Sequence, residues 1–295
     1  MEVGVQAVVS PVPERKRRKG IRISQIVLVF ITLVFLVLTL YPFFMMLVRS
    51  VKSLPQEMTE PNTLTFPFQW ANFSEAWVQI DDSILRTFGI VILITVGLLL
   101  VASLAAYGLS RYRIPGKGAI VIAFLAVMMV PSSLTLIPQY QLVVVNYGMA
   151  GTWQGIILPT IAGALPMAIF LIRTFFMGLP NEIYEAATID GCSNLRMYFS
   201  IALPLSLPIL ATQGLLTFMS SYNDFLWPYL IMQSSEQYTI SALLVRLTRT
   251  AATTQNGYMG VTIAGYVLAS IPLLVLFVIC NKQFVKGITS GSFKM

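Results

Sequence analysis

The chain contains no histidine and only 2 cysteines, and charged residues make up 11% of its 295 positions. Each shortage excludes something. Without histidine, the commonest metal ligand and the usual general base near neutral pH are both missing. Cys192 and Cys280 lie far apart with no CxxC spacing, so neither a disulfide framework nor a zinc site is indicated. No nucleophile–base pair, metal cluster or phosphate-cradling glycine loop is visible, and there is no Walker A sequence, which leaves an enzyme reading without support. Soluble domains carry about 25% charged residues. The scarcity of charge here, with 56% hydrophobic residues and a mean hydropathy of +0.77, reads instead as an integral membrane protein.

What is present is apolar length. A bilayer-crossing helix needs about 20 mostly apolar residues. Six segments qualify, at 23–48, 84–109, 119–145, 153–176, 205–226 and 258–280. Pro131, Pro138, Pro159 and Pro166 interrupt the third and fourth, and prolines can kink a membrane helix, so some of the spans are expected to be bent or broken. The first follows the basic run Arg15–Lys19 as a signal peptide would, but it is too long and lacks a small-x-small cleavage site, so it reads as an uncleaved helix. No Asp or Glu falls at the centre of any segment, which weighs against an ion-coupled secondary transporter.

The net charge of +7 could suggest nucleic acid, but its placement follows membrane topology instead. With the N-terminus inside, 14 of the 19 Lys and Arg residues fall on the inner side. Both termini are then cytoplasmic, and so is the segment around Glu185. The longer outer loops, 50–83 and 227–257, face a partner or are ordinary solvated loops with short interfacial helices.

The inner segment 178–208 reads GLPNEIYEAATIDGCSNLRMYFSIALPLSLP. Asn181 is placed to cap a helix beginning at Glu182. Ile183, Tyr184 and Ala187 recur along one face, and Ala186 and Ala187 are small enough for close approach. Gly191 suits a left-handed C-terminal position. Ser193 is placed to cap a second helix with Leu195, Tyr198, Phe199 and Ala202 along one side, and Pro204 marks entry into the fifth span. The product is a helix–turn–helix elbow with Glu185 and Asp190 as acidic points. Two readings stay open on the residues: a protein-docking elbow, or an amphipathic loop on the headgroups. The carboxylates count against the second, because the inner leaflet attracts basic residues.

EAATIDG (185–191), nine residues and IALP (201–204) fit the spacing of a cytosolic signature found in permease subunits of bacterial ABC importers. The segments AAYGLSRYRIPGKG (105–118), MVPSSLTLIPQY (129–140), LIRTFFMGLPNEIYEAATIDG (171–191), SYNDFLWPYLI (221–231) and FVKGITSGSFKM (284–295) resemble the carbohydrate-uptake branch, in particular its maltose-type second permease. Cys192 stands where that family more usually has alanine. The resemblance implies an all-α membrane fold of the type I ABC importer class in a bacterial cytoplasmic membrane. Its parts would be a basic segment 1–22, a first helix 23–48, an extracytoplasmic loop 49–83, a transmembrane domain 84–281 with a coupling loop at 178–204, and a tail 282–295. It also implies a second homologous permease, two ATP-binding subunits that carry ATP and Mg, a binding protein outside, and no cofactor on this chain. Glu185, Ala186, Ala187, Asp190, Gly191, Ile201, Leu203 and Pro204 would form the ATPase-coupling element. Sugar as cargo comes from the resemblance alone; glycerol phosphate or another polar solute is the alternative.

A sugar path needs hydrogen-bonding groups and aromatic faces. Gln139, Tyr140, Gln213, Thr217, Tyr222, Asn223 and Asp224 are the candidates, with Trp227 following. Each has a competing role in interfacial belts or helix packing. For Asp224, a cap on the turn before Trp227-Pro228 competes equally with lining the path.

Overall fold

The computed structural model describes residues 23–234, 237–253 and 259–292, and every regular element among them is helical. The expected basic segment 1–22 lies outside the described residues. In chain order the helices are α1 (Ile23–Ser50), α2 (Leu54–Thr59), α3 (Ala71–Arg111), α4 (Lys117–Met128), α5 (Ser132–Tyr140), α6 (Trp153–Met177), α7 (Asn181–Ile189), α8 (Asn194–Met197), α9 (Leu203–Leu205), α10 (Leu207–Asn223), α11 (Leu226–Ile231), α12 (Ile240–Thr253) and α13 (Met259–Ser292). A π turn, Gln141–Asn146, continues α5, and another, Tyr198–Ala202, joins α8 to α9.

The chain divides into two units within α1. The first contains the helix up to Met45, where Thr32 and Thr39 donate to the carbonyls of Leu28 and Phe35 at 2.8 and 2.7 Å. Such back-bonding satisfies a hydroxyl inside an apolar run.

The second unit is organised along α3. Its buried positions step by three or four, from Ala76 through Ile80, Ile84, Thr87, Val91, Ile94, Leu98 and Ala102 to Ala106. That spacing keeps one stripe against neighbours for the whole helix. α6, α10 and α13 pack along it, with α12 at the Ala71 end. Polar contacts fix the ends of the neighbours. The Thr87 hydroxyl donates to Ser83 O at 2.6 Å and accepts from the Ile240 amide at 2.8 Å, anchoring the start of α12. Asn72 Nδ2 donates to Ser50 O and Lys52 O at 2.9 and 3.0 Å, and Arg49 pairs with Glu57, which holds the connection from α1 through α2.

One stretch differs from the sequence expectation, and the helix of the last span continues beyond the span. Residues 71–83 are not loop but the first turns of α3, because no Gly or Pro interrupts them and Ala76 and Ile80 continue the buried stripe. The segment from 282 is likewise helical as far as Ser292.

Among the described residues four helices are long and apolar enough to cross a membrane: α1, α3, α6 and α13. Counting each bent pair as one span gives six. The first pair, α4 with α5 and its π turn, is bent by 92° just before Pro131. The second joins α8–α9 to α10 with a 75° bend at Ser206, between Pro204 and Pro208. Proline removes the amide that would close a helical turn.

α6 contains Pro159 and Pro166 and runs unbroken. Pro159 deprives the Gly155 carbonyl of its helical donor. The indole Nε1 of Trp227, buried on α11, supplies one at 3.0 Å. Inside a membrane a freed carbonyl persists only when a neighbour satisfies it. Gly155 must be glycine for this approach, since a Cβ there would lie 2.4 Å from Met149 O and 3.1 Å from Ile231 Cγ2.

Trp227→Phe keeps the aromatic bulk but orphans the Gly155 carbonyl. It should lower the stability of the detergent-solubilised protein by about 1–3 kcal/mol. The same change at the exposed Trp77 should stay within about 0.5 kcal/mol. Thermal unfolding followed by near-UV absorbance compares the two.

Candidate functional site

α7 and α8 form the elbow that the sequence implies. α7 ends in a Schellman motif. The Cys192 amide donates to Ala187 O at 2.9 Å and the Gly191 amide to Thr188 O at 3.0 Å, while Gly191 takes φ +73°. This reverses the chain directly into α8, whose first turn is capped by the Ser193 hydroxyl accepting from the Arg196 amide at 3.4 Å. The expected cap at Asn181 is not made. α7 begins at Asn181 itself, behind Pro180, and the Asn181 side chain is drawn away by Arg111, whose Nη1 donates to its Oδ1 at 2.8 Å.

The inner face of the elbow is closely packed. Tyr184 and Ala187 of α7, with Met197, Tyr198 and Ala202, join one buried cluster with Leu98, Ala102, Ala106 and Tyr107 of α3 and Ala168, Ile169, Ile172 and Phe176 of α6. Tyr107 lies edge-on to Phe176 at 6.0 Å and tilted against Tyr198 at 5.3 Å. Arg111, the last residue of α3, lies over the Tyr184 ring at 3.5 Å and donates from Nη2 to Phe176 O at 3.1 Å. Ile201 and Leu203 pack at the margin of the cluster and Pro204 is exposed. The sequence reading placed Tyr198 along the second helix but did not single out Arg111 and Tyr107. Their signal is an arginine closing a span and a tyrosine at helical spacing, which ordinary packing would produce as well.

The outer face is open. Glu182, Glu185, Ala186 and Asp190 are exposed, and Ile189 is 87% exposed. Leu195 and Phe199 belong to this outer surface, at 66% and 59% exposure, and do not share one side with the buried Tyr198 and Ala202 as the sequence reading grouped them. The buried stripe of the second arm is Met197, Tyr198 and Ala202, turned by about a residue. The Tyr198 hydroxyl bonds Ser103 Oγ at 2.7 Å, and that bond fixes which side faces inward.

The cargo-path candidates separate. Gln139 and Tyr140 end α5, half-buried and partly exposed. The others lie on α10 or just beyond it. Gln213 and Thr217 are buried and hydrogen-bonded to each other at 3.3 Å. The buried Tyr222 donates to Ala269 O of α13 at 2.9 Å, a helix–helix contact. Asn223 is exposed and donates to Met219 O at 2.8 Å. Asp224 Oδ1 accepts from the amides of Leu226 and Trp227 at 3.1 and 3.5 Å, so its carboxylate caps α11. Among the described residues no His, Cys, Asp and Glu cluster could hold a metal ion.

The family model for binding-protein-dependent transport system inner membrane components matches residues 98–290. The chain is 33% identical over 286 residues to the Probable ABC transporter permease protein YurM of Bacillus subtilis, covering 96% of this chain and 93% of that one. It is 32% identical to the arabinooligosaccharides transport system permease protein AraQ of Halalkalibacterium halodurans, covering 80% and 81%. A bacterial ABC transporter that imports the acidic polysaccharide alginate contains a chain of the same fold, with a TM-score of 0.75 at 22% identity over 93% of this chain and all of that one.

Gly191 isolates the role of the turn. A Cβ there meets nothing within 4 Å, so only the positive φ opposes a side chain. Gly191→Val should cost about 1–2 kcal/mol or somewhat more through backbone conformation alone. Gly191→Asn should cost less, because asparagine tolerates that region. Thermal melts of the two variants give the order.

Proposed function

The chain belongs to the family of binding-protein-dependent transport system inner membrane components, and from that membership we propose that it is one permease of an ATP-driven importer for a sugar or oligosaccharide. The similarity to a permease named for arabinooligosaccharide transport supports the cargo class, as does the fold shared with an alginate importer. In this reading α1, α3, the α4–α5 pair, α6, α10 and α13 are six spans of a bacterial cytoplasmic membrane. Both termini and the elbow face the cytoplasm, as the Lys and Arg placement requires. Residues 49–83 lie outside, and 84–281 form the transmembrane domain. A second, homologous permease completes the pathway. A binding protein delivers cargo from outside, and two ATP-binding subunits carry ATP and Mg below.

The observation that carries the coupling role is the two-sided elbow. One face is seated on α3 and α6; the other offers Glu185, Asp190 and the almost fully exposed Ile189 to a partner. Glu185 accepts charge-assisted hydrogen bonds from a basic group on the ATPase, and Ile189 fills an apolar contact beside it. Ala186 lets the partner approach closely, and the Gly191 turn holds the angle. Closure of the ATPases displaces the elbow, and the packed helices respond as rigid bodies. Along the cargo path, Gln139, Tyr140 and Asn223 keep accessible side chains and are the groups to meet sugar hydroxyls. Gln213, Thr217, Tyr222 and Asp224 shape the helices around them.

Glu185→Ala removes the acidic contact without touching the packed face. The variant should reach the membrane at the parental level. ATPase attachment should weaken by about 2–5 kcal/mol, the usual cost of truncating a buried charged pair. Uptake of the solute held by the co-purifying binding protein, measured in proteoliposomes, should fall accordingly. Parental uptake at parental protein level would remove the docking role.

A further inference from the structure

Near its last turn α3 carries Ser103, Tyr107 and Arg111, spaced by four residues. That spacing places them one above another on a single helix face. Each reaches a different part of the elbow. Ser103 Oγ shares a 2.7 Å hydrogen bond with the Tyr198 hydroxyl of the second arm. The Tyr107 hydroxyl donates to Asn194 O, at the start of α8, at 3.4 Å. Arg111 donates to Asn181 Oδ1, at the start of α7, at 2.8 Å and covers the Tyr184 ring. Both arms of the elbow are therefore fastened to one face of α3. Ser103 and Tyr198 are 2% and 1% exposed, so water does not compete for their bond. A buried polar group left unpaired is costly, which keeps such a fastening closed.

The covalent route from the elbow to α10 has the opposite character. It leaves the second arm at the end of the π turn Tyr198–Ala202 and passes through the 75° bend at Ser206. Pro204 and Pro208 each lack an amide, so two bonds of the helical ladder are missing there, and the bend is spanned by the Ser206 amide donating to Ala202 O and Leu203 O at 3.1 Å and the Leu210 amide to Ser206 O at 3.0 Å. A displacement follows the stiffer of two connections.

We infer that Ser103, Tyr107 and Arg111 are positioning residues that carry the elbow's displacement into α3, while the joint at Ser206 lets α10 change its angle to the elbow. The inference rests on the docking role proposed above. It moves the point of transmission from the helix that follows the elbow in sequence to one that precedes it by some 70 residues, the separation of Arg111 from Asn181.

The test uses the assembled importer, with both permeases and both ATPase subunits, in nanodiscs. Cys192 and Cys280 are replaced by serine. Spin labels are placed at exposed positions: Ser200 on the elbow, Val96 on α3 and Leu216 on α10. Distances are read without nucleotide and with ATP plus vanadate. In the parent, the Ser200–Val96 distance should be the same in both states and the Ser200–Leu216 distance should shift. In Arg111→Met and in Tyr198→Phe, the Ser200–Val96 distance should become nucleotide-dependent, a loss of rigid coupling that mere destabilisation of an assembled complex does not produce. An unchanged Ser200–Val96 distance in both variants, or a constant Ser200–Leu216 distance in the parent, overturns the inference. If Arg111→Met fails to retain the ATPase, Tyr198→Phe and Ser103→Ala carry the same comparison without loss of charge. The docking role is checked separately by a cross-link from Glu185→Cys to the ATPase in the parent. Its absence removes that role and is distinguishable from a failed distance test.

Discussion

The contact between α3 and α6 is the constraint from which the remaining architecture follows. Lipid tails are as apolar as leucine, so apolar character alone does not drive two helices together within a bilayer; fit and internal hydrogen bonds must. Here Ala102 and Ala106 of α3 and Ala168 of α6, all fully buried, allow the backbones close, while Leu98, Ile172 and Phe176 fill the space around them. The elbow has a seat only because this pair presents a ready surface. Tyr184, Ala187 and Tyr198 enter the same cluster, and without it the short helices α7 and α8 would have too few hydrogen bonds to persist in isolation.

The prolines show a second constraint at work. Proline content alone would treat the third and fourth apolar segments alike. Their outcomes differ because of what lies beside them. α6 has Trp227 in place to take up the Gly155 carbonyl, and it stays whole. The segment around Pro131 turns by 92° between α4 and α5, and neither of these helices has a buried residue.

This also explains what could be read from the residues. Gly191 and Ser193 were legible because their roles are local: a positive φ and a hydroxyl one turn ahead of an amide need no knowledge of distant contacts. The exposure of Glu185 and Asp190 was legible from charge. Asn181 was misread because Arg111, distant in sequence, competes for its side chain. Leu195 and Phe199 were grouped on one side with Tyr198 and Ala202, whereas Tyr198, held by the distant Ser103, and Ala202 are buried and the other two are exposed. The helical character of 71–83 was hidden by its carboxylates, which depress hydropathy without opposing helix formation. For the cargo path, residue type pointed to polar groups within α10, and only the fold reveals that Gln213, Thr217 and Tyr222 have found partners inside the chain.

The uncommon length of α3 has a mechanical corollary. Its 41 residues make a rod of about 60 Å, roughly twice the hydrocarbon thickness. One end is gripped by Arg111 and its neighbours, the other carries Asn72, and the start of α12 is held at Thr87 between them. A rod of that length turned by only about 5° sweeps its far tip through about 5 Å, the scale of a single helical turn. A small rotation at one end is thereby enlarged at the other, as by a lever arm.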